Sequence, residues 1–88
     1  MDAISYFGDK LSEKIDRPSI ACRGLIRFSL RDEVGSADNP DYNSLRKVFQ
    51  NSLKTRLEKI GVENPNKITI EMVKELDRKQ SLLTMSTV

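Results

Sequence analysis

Apolar residues recur three and four positions apart between Pro40 and Gly61, which is the spacing of one face of an amphipathic helix. Asn39 or Asp41 suits the N-cap position, because each side chain can accept a hydrogen bond from a free backbone N–H group. Pro40 suits the first helical turn, and Gly61 suits a left-handed stop. The pattern predicts a long central helix that organises the core. Its apolar stripe consists of Leu45, Val48, Phe49, Leu53, Leu57 and Ile60.

The N-terminal segment predicts a second amphipathic helix over residues 3–16, with Asp2 as its cap. Tyr6 projects away from the apolar stripe of this helix, so we expect an exposed aromatic side chain there. The stripe consists of Ile4, Phe7, Leu11 and Ile15.

The C-terminal segment predicts a last helix, for which Thr69 is the expected N-cap. The alternative places a short strand over residues 67–70 ahead of the helix. The apolar positions of the helix are Ile70, Val73, Leu76 and Leu83.

Residues 19–34 fit two templates. As a strand, the segment would place alternate apolar residues on one face and its three arginines on the other. As a helix, it would place the arginines in a single row beside a broad apolar arc. Its length favours the helix, because strands average about five or six residues, and Gly35 suits a helix stop. The apolar arc would contain Ala21, Cys22, Leu25, Ile26, Phe28 and Leu30.

Four helices joined by short loops predict an all-α fold, either a small four-helix bundle or a helical cluster. The alternative is an α+β fold in which residues 19–31 form a strand. No repeat or linker divides the chain, so we expect a single domain over residues 1–88. A domain of 88 residues buries only about 60% of its unfolded surface, which leaves its stability marginal.

The composition excludes the commonest catalytic and metal chemistries. The chain has no histidine and one cysteine, so it lacks the usual sets of nucleophiles and zinc ligands. Its four glycines follow neither of the spacings that cradle phosphate groups. The carboxylates within residues 32–33 and 75–77 are expected to be solvated or capping charges. We therefore expect no enzymatic activity, no cofactor and no bound metal.

Two features bear on where the protein works. No apolar run approaches the roughly 20 residues of a membrane span, so we expect no membrane partner. Cys22 lies in an apolar context that is typical of a buried thiol, and a single cysteine favours a reducing compartment. The sequence therefore predicts a cytoplasmic protein.

Basic residues are concentrated in two segments, although the formal net charge is only +2. Residues 10–31 carry six basic side chains against two acidic ones, and residues 42–59 carry five against one. Arginine binds phosphate and carboxylate groups by paired hydrogen bonds, so these segments are candidate contacts for nucleic acid or an acidic partner. Alternatively, the arginines lie over their own helices and pair with nearby glutamates. The candidate contact residues are Arg23, Arg27, Arg31, Lys47, Lys54 and Arg56.

The C-terminal tail over residues 82–88 carries no charged side chain and suits an apolar contact. The helices also carry more apolar stripes than one small core absorbs. Together with the tail, these stripes favour an interaction or regulatory module that binds a protein partner or itself as a homodimer. The alternative function is a small nucleic-acid-binding regulator that uses the arginine row. The candidate residues for self-association are Leu82, Leu83, Met85 and Val88.

Overall fold

Four helices pack around an apolar core in the computed structural model, which describes residues 3–38 and 40–79. The described residues contain no strand, so the all-α prediction is confirmed and residues 19–31 are helical. The third helix has three consecutive parts, which together we call α3. The helices are α1, Ala3–Ile15; α2, Ser19–Val34; α3, Tyr42–Lys47, Val48–Ser52 and Leu53–Lys59; and α4, Pro65–Arg78.

The core lies where α1 and α3 meet α2 and α4, since α2 and α4 each pack against both of the other helices. Full burial of a large apolar side chain stabilises the fold by about 1.5–3 kcal/mol. The largest fully buried side chains are Phe7, Phe49, Leu11, Ile26, Leu30, Leu45, Leu53, Leu57, Met72, Leu76, Val48 and Cys22.

Helices α1 and α2 approach closely at Gly8. A Cβ atom at that position would lie 2.4 Å from Cγ of Arg23 and 3.0 Å from its Cα. Only a residue without a side chain fits against the backbone of the facing helix at these distances. The close approach presses the aliphatic part of Arg23 against α1.

The middle of α3 is a π-helical turn over Val48–Ser52, in which the N–H of Leu53 donates to the carbonyl of Val48. The apolar stripe explains this turn. Leu45, Phe49, Leu53 and Leu57 are spaced by four residues each time, and three such steps rotate a regular helix by about 120°. The wider turn takes up part of that rotation, so all four side chains remain in the core.

The ends of α3 follow the sequence closely. Asp41 is the N-cap and accepts a hydrogen bond from the N–H of Ser44 at 2.8 Å. Gly61 has a φ of 80° and donates to the carbonyl of Glu58, so it forms the predicted left-handed stop. Pro40 precedes the cap and is outside the helix, which corrects its placement in the first turn. Asn39 lies outside the described residues.

Two further expectations meet a different outcome. Ile60 ends the predicted stripe but is 37% exposed, because it lies at the C-cap of α3 rather than within the helix. Asp16 follows α1 with a φ of 55°, so α1 ends one residue earlier than predicted. Asp2 and Leu83 lie outside the described residues.

Helix α4 begins at Pro65, four residues before the predicted cap at Thr69. Proline has the backbone angle of a first helical residue and no N–H to leave unpaired, which favours this start. Thr69 is buried within the helix, and its hydroxyl donates to the carbonyl of Asn66 at 3.0 Å. Consequently Ile70 is 49% exposed, and the buried face consists of Ile68, Thr69, Met72 and Leu76.

No helix within residues 3–38 and 40–79 is both long enough and apolar enough to cross a membrane.

Candidate interaction surface

Five residues share the side of α2 that points away from the core. At about 100° of rotation per residue they fall within roughly 100° of arc, opposite the buried positions of the helix. We call this surface the α2 face. It consists of Ile20, Gly24, Arg27, Phe28 and Arg31.

Two large apolar side chains of the α2 face are open to solvent. Ile20 is 78% exposed and Phe28 is 51% exposed. The Phe28 ring lies between two arginines: the guanidinium carbon is 5.8 Å from the ring centroid for Arg31 and 5.6 Å for Arg56. Both distances are within the range of cation–π attraction. The ring is therefore positioned by α2 and α3 together while one part remains accessible.

The six basic candidate residues separate into distinct groups. Arg23 turns towards α1, where its guanidinium pairs with Asp9 at 2.8 Å, so it leaves the predicted row. Arg56 pairs with Asp32 and thereby reaches the ring of Phe28.

The remaining arginines of the row point outward. Arg27 and Arg31 form no ion pair with another described residue. The structure thus places Arg31 and Arg56 against the ring of Phe28, while Arg27 is exposed on the same face of α2.

The other sequence candidates are not part of this surface. Lys47 is exposed and Lys54 half-buried on α3, and neither forms an ion pair within the described part of the chain. The four candidates for self-association lie outside the described residues. They are Leu82, Leu83, Met85 and Val88.

Sequence reasoning missed the exposure of Phe28 by placing it in the buried arc. The outcome is a correction: Ala21 and Phe28 are exposed, whereas Ile26 and Leu30 are buried. The helical rotation contained the signal. Residues two positions apart on a helix point about 160° away from each other, so Phe28 cannot share a face with Ile26 and Leu30.

Gly24 lies in the middle of the α2 face, and a Cβ atom at that position would have no atom within 4 Å. No contact within the described structure therefore requires glycine there. Glycine inside a helix destabilises it by roughly 0.5–1 kcal/mol relative to alanine. The missing side chain leaves a shallow site at which another backbone can approach closely.

The two tyrosines, by contrast, act inside the molecule. The hydroxyl of Tyr6 donates to Glu75, and that of Tyr42 donates to Asp77 at 2.6 Å, so α1 and α3 each bind α4. Tyr6 is half-buried, which corrects the expectation of an exposed side chain. The carboxylates of Glu75 and Asp77 are likewise structural acceptors rather than merely solvated charges.

The electrostatics around Tyr6 follow from that hydrogen bond. Burial, followed by the bond to Glu75, raises the pKa of Tyr6 to about 12. The same bond lowers the pKa of Glu75, because it stabilises the charged carboxylate.

A surface cleft of about 490 Å³ lies beside the start of α4. Its charges are mixed, and Lys14 pairs with Glu71 at 2.8 Å while Arg17 donates to the carbonyl of Ile60. These side chains are therefore engaged within the protein. Among the described residues, no group of three or more His, Cys, Asp or Glu side chains is placed to hold a metal ion.

Comparison with protein-family models, curated proteins and solved structures gave no match for this chain. The functional proposal is therefore based on the side chains of this protein alone.

Proposed function

We propose that this protein is a non-enzymatic interaction domain, with a regulatory role through the partner that it binds at the α2 face. The observation that carries the proposal is the exposed ring of Phe28, which two guanidinium groups flank on the same outward side of α2 as the exposed Ile20. Aromatic and arginine side chains are the residues that most often dominate binding at protein interfaces.

Two observations support a role without catalysis. The chain has no histidine, and its one thiol, Cys22, is buried in the core face of α2. Burial raises the pKa of that thiol, which keeps it protonated and therefore a poor nucleophile. A buried free thiol also supports the proposal of a cytoplasmic location, where thiols stay reduced.

A protein partner is favoured over nucleic acid because the arginine row is interrupted. Arg23 is paired with Asp9 and Arg56 with Asp32, so only two arginines of the surface are without a carboxylate. Two free charges beside exposed apolar groups match a protein surface better than a phosphate backbone, whose binding depends on many basic contacts.

Site-specific photo-crosslinking tests the proposal. A benzophenone amino acid would replace Phe28 in one variant and Ile70 in a matched control, since Ile70 is 49% exposed on a different helix. After irradiation of cells that express the protein, we expect protein adducts from position 28 and none from position 70. An adduct of two copies of this chain would identify self-association, which light scattering over a concentration series would check.

The proposal is contradicted if position 28 forms no adduct in cells, or if the two positions form the same adducts to the same extent. In either case the α2 face would be an ordinary solvated surface.

A further inference from the structure

We propose that the α2 face binds an acidic amphipathic helix of another protein, in preference to a second copy of this chain. This inference rests on the interaction function proposed above and names the chemistry of the partner. Three properties of the α2 face carry it: the sign of its free charge, the gap at Gly24 and the one-turn spacing of its arginines.

The free charge of the α2 face is positive. Arg27 and Arg31 lack ion-pair partners among the described residues, whereas the charge of Arg56, which lies beside Phe28, is paired with that of Asp32. A complementary surface must therefore supply carboxylates.

A second copy would bring little negative charge to such a contact. Asp32 and Glu33 are the carboxylates of α2, and both are used within the chain: Asp32 pairs with Arg56, and Glu33 accepts a hydrogen bond from Ser52 at 3.3 Å. Two α2 faces in contact would oppose arginine to arginine, which is unfavourable. Charge complementarity therefore favours a different protein over a symmetric contact between two α2 faces.

The shape of the α2 face fits a helix. The absence of a side chain at Gly24 lets another backbone approach α2 closely, while Ile20 and Phe28 offer apolar contacts about one turn to either side. Apolar groups that flank a small residue match the stripe of an amphipathic helix laid across them.

The arginines set the acidic spacing of that partner. Arg27 and Arg31 are four residues apart and thus separated by about 6 Å along α2. Carboxylates at positions i and i+4 of a partner helix have a similar separation, so both can pair at once. The expected motif is two acidic residues one turn apart beside an apolar stripe.

Selection from a phage library of helical peptides with a randomised face tests this motif. The library would be selected on the wild-type protein and depleted on the Arg27→Glu/Arg31→Glu double variant. We expect the enriched peptides to carry acidic residues at i and i+4 next to apolar ones. Fluorescence anisotropy with a synthetic enriched peptide should show at least tenfold weaker binding to the double variant.

Two matched variants separate local recognition from overall charge. Lys47→Glu/Lys59→Glu makes the same change in net charge on exposed positions of α3 and should alter the affinity less than twofold. Gly24→Leu keeps the charge but fills the gap, and should weaken binding at least tenfold. Circular dichroism would verify that each variant is folded.

Charge exchange provides the strictest test. A peptide whose two acidic residues are replaced by arginine should bind the Arg27→Glu/Arg31→Glu variant and lose affinity for the wild type. Such rescue requires direct pairing and would not follow from damage to the fold.

Several outcomes would overturn the inference. Enrichment of neutral or basic peptides would do so, as would equal weakening by the Lys47→Glu/Lys59→Glu control. Tight binding of a 20-nucleotide single-stranded DNA that requires Arg27 and Arg31 would assign the surface to nucleic acid instead.

The crosslinking result distinguishes the two levels of the proposal. Adducts from position 28 to another copy, or to segments without acidic residues, would leave the interaction function standing and overturn the acidic-helix inference. Absence of adducts would overturn both.

Discussion

The carboxylates of α4 and the arginines of the α2 face are used in different ways. On α4, three carboxylates bind within the protein: Glu71 pairs with Lys14, and Glu75 and Asp77 accept hydrogen bonds from tyrosines of α1 and α3. On α2, the outward side presents Phe28 and two arginines without ion-pair partners in the described structure. These carboxylates of α4 help to hold the fold together, whereas Arg27 and Arg31 of the α2 face remain available.

Exposure alone therefore does not identify a contact surface. Ile70 of α4 is nearly as exposed as Phe28, but only Phe28 is held between guanidinium groups. A surface is a candidate for binding when its apolar and charged groups are positioned together and left unused by the fold.

Truncation of Phe7 and of Phe28 should distinguish a core residue from a surface residue. Phe7→Ala is expected to lower the free energy of unfolding by about 3–5 kcal/mol, because the ring is buried against Phe49 with centroids 5.4 Å apart. Phe28→Ala should cost less than about 1 kcal/mol, since half of that side chain already meets solvent. Urea denaturation of both variants measures the difference. Equal losses would mean that Phe28 belongs to the core.

Substitution by alanine should change the free energy of unfolding in opposite directions at Gly8 and Gly24. Gly8→Ala is expected to cost about 1–3 kcal/mol, because the new methyl group would press against Arg23. Gly24→Ala should stabilise the protein by about 0.5–1 kcal/mol, since the methyl group meets nothing and alanine favours the helix. Thermal and urea unfolding would test both. A destabilising Gly24→Ala would reveal a packing role for that glycine.

Loss of a polar contact should matter on α4 and not on the α2 face. Tyr42→Phe removes the hydrogen bond to Asp77 and is expected to cost about 0.5–1 kcal/mol. Arg27→Ala should change the free energy of unfolding by less than about 0.5 kcal/mol, because it forms no ion pair with a described residue. Urea midpoints measured in the same buffer provide the comparison, and a larger loss for Arg27→Ala would reverse the assignment of the two surfaces.

Much of the fold could be predicted from local sequence. The stripe of α3, the Asp41 cap and the Gly61 stop each depend on residues close together in the chain, where spacing fixes the geometry. The start of α4 was predicted too late, because a threonine in front of an apolar run resembles a cap. The Asn64-Pro65 sequence ahead of that threonine was the stronger signal, since Pro65 fits a first helical position.

The candidate surface was harder to predict because it depends on contacts between helices. The spacing of Arg23, Arg27 and Arg31 predicts one row, but Asp9 of α1 withdraws the first arginine from it. Arg56 joins the surface only because α3 packs beside α2. Such pairings join residues distant in sequence, and periodicity within one helix carries no information about them.

A further prediction concerns the attachment of α4 through Tyr6. In the Tyr42→Phe variant Tyr6 is the only tyrosine, so absorbance at 295 nm reports its ionisation alone. We expect the folded protein to titrate with a pKa of about 12, against an ordinary value of 10.0. Because folding raises this pKa, the stability contributed by neutral Tyr6 is fully present below pH 10 and is lost as the pH rises towards 12.

The titration also tests the contrast between α4 and the α2 face. Tyr6→Phe should make the fall in unfolding free energy between pH 10 and 12 smaller than in the wild type, because phenylalanine has no proton to lose. A midpoint near 10 in the folded protein would mean that the Tyr6 hydroxyl is hydrated and does not bind Glu75. Helix α4 would then be bound by one tyrosine instead of two.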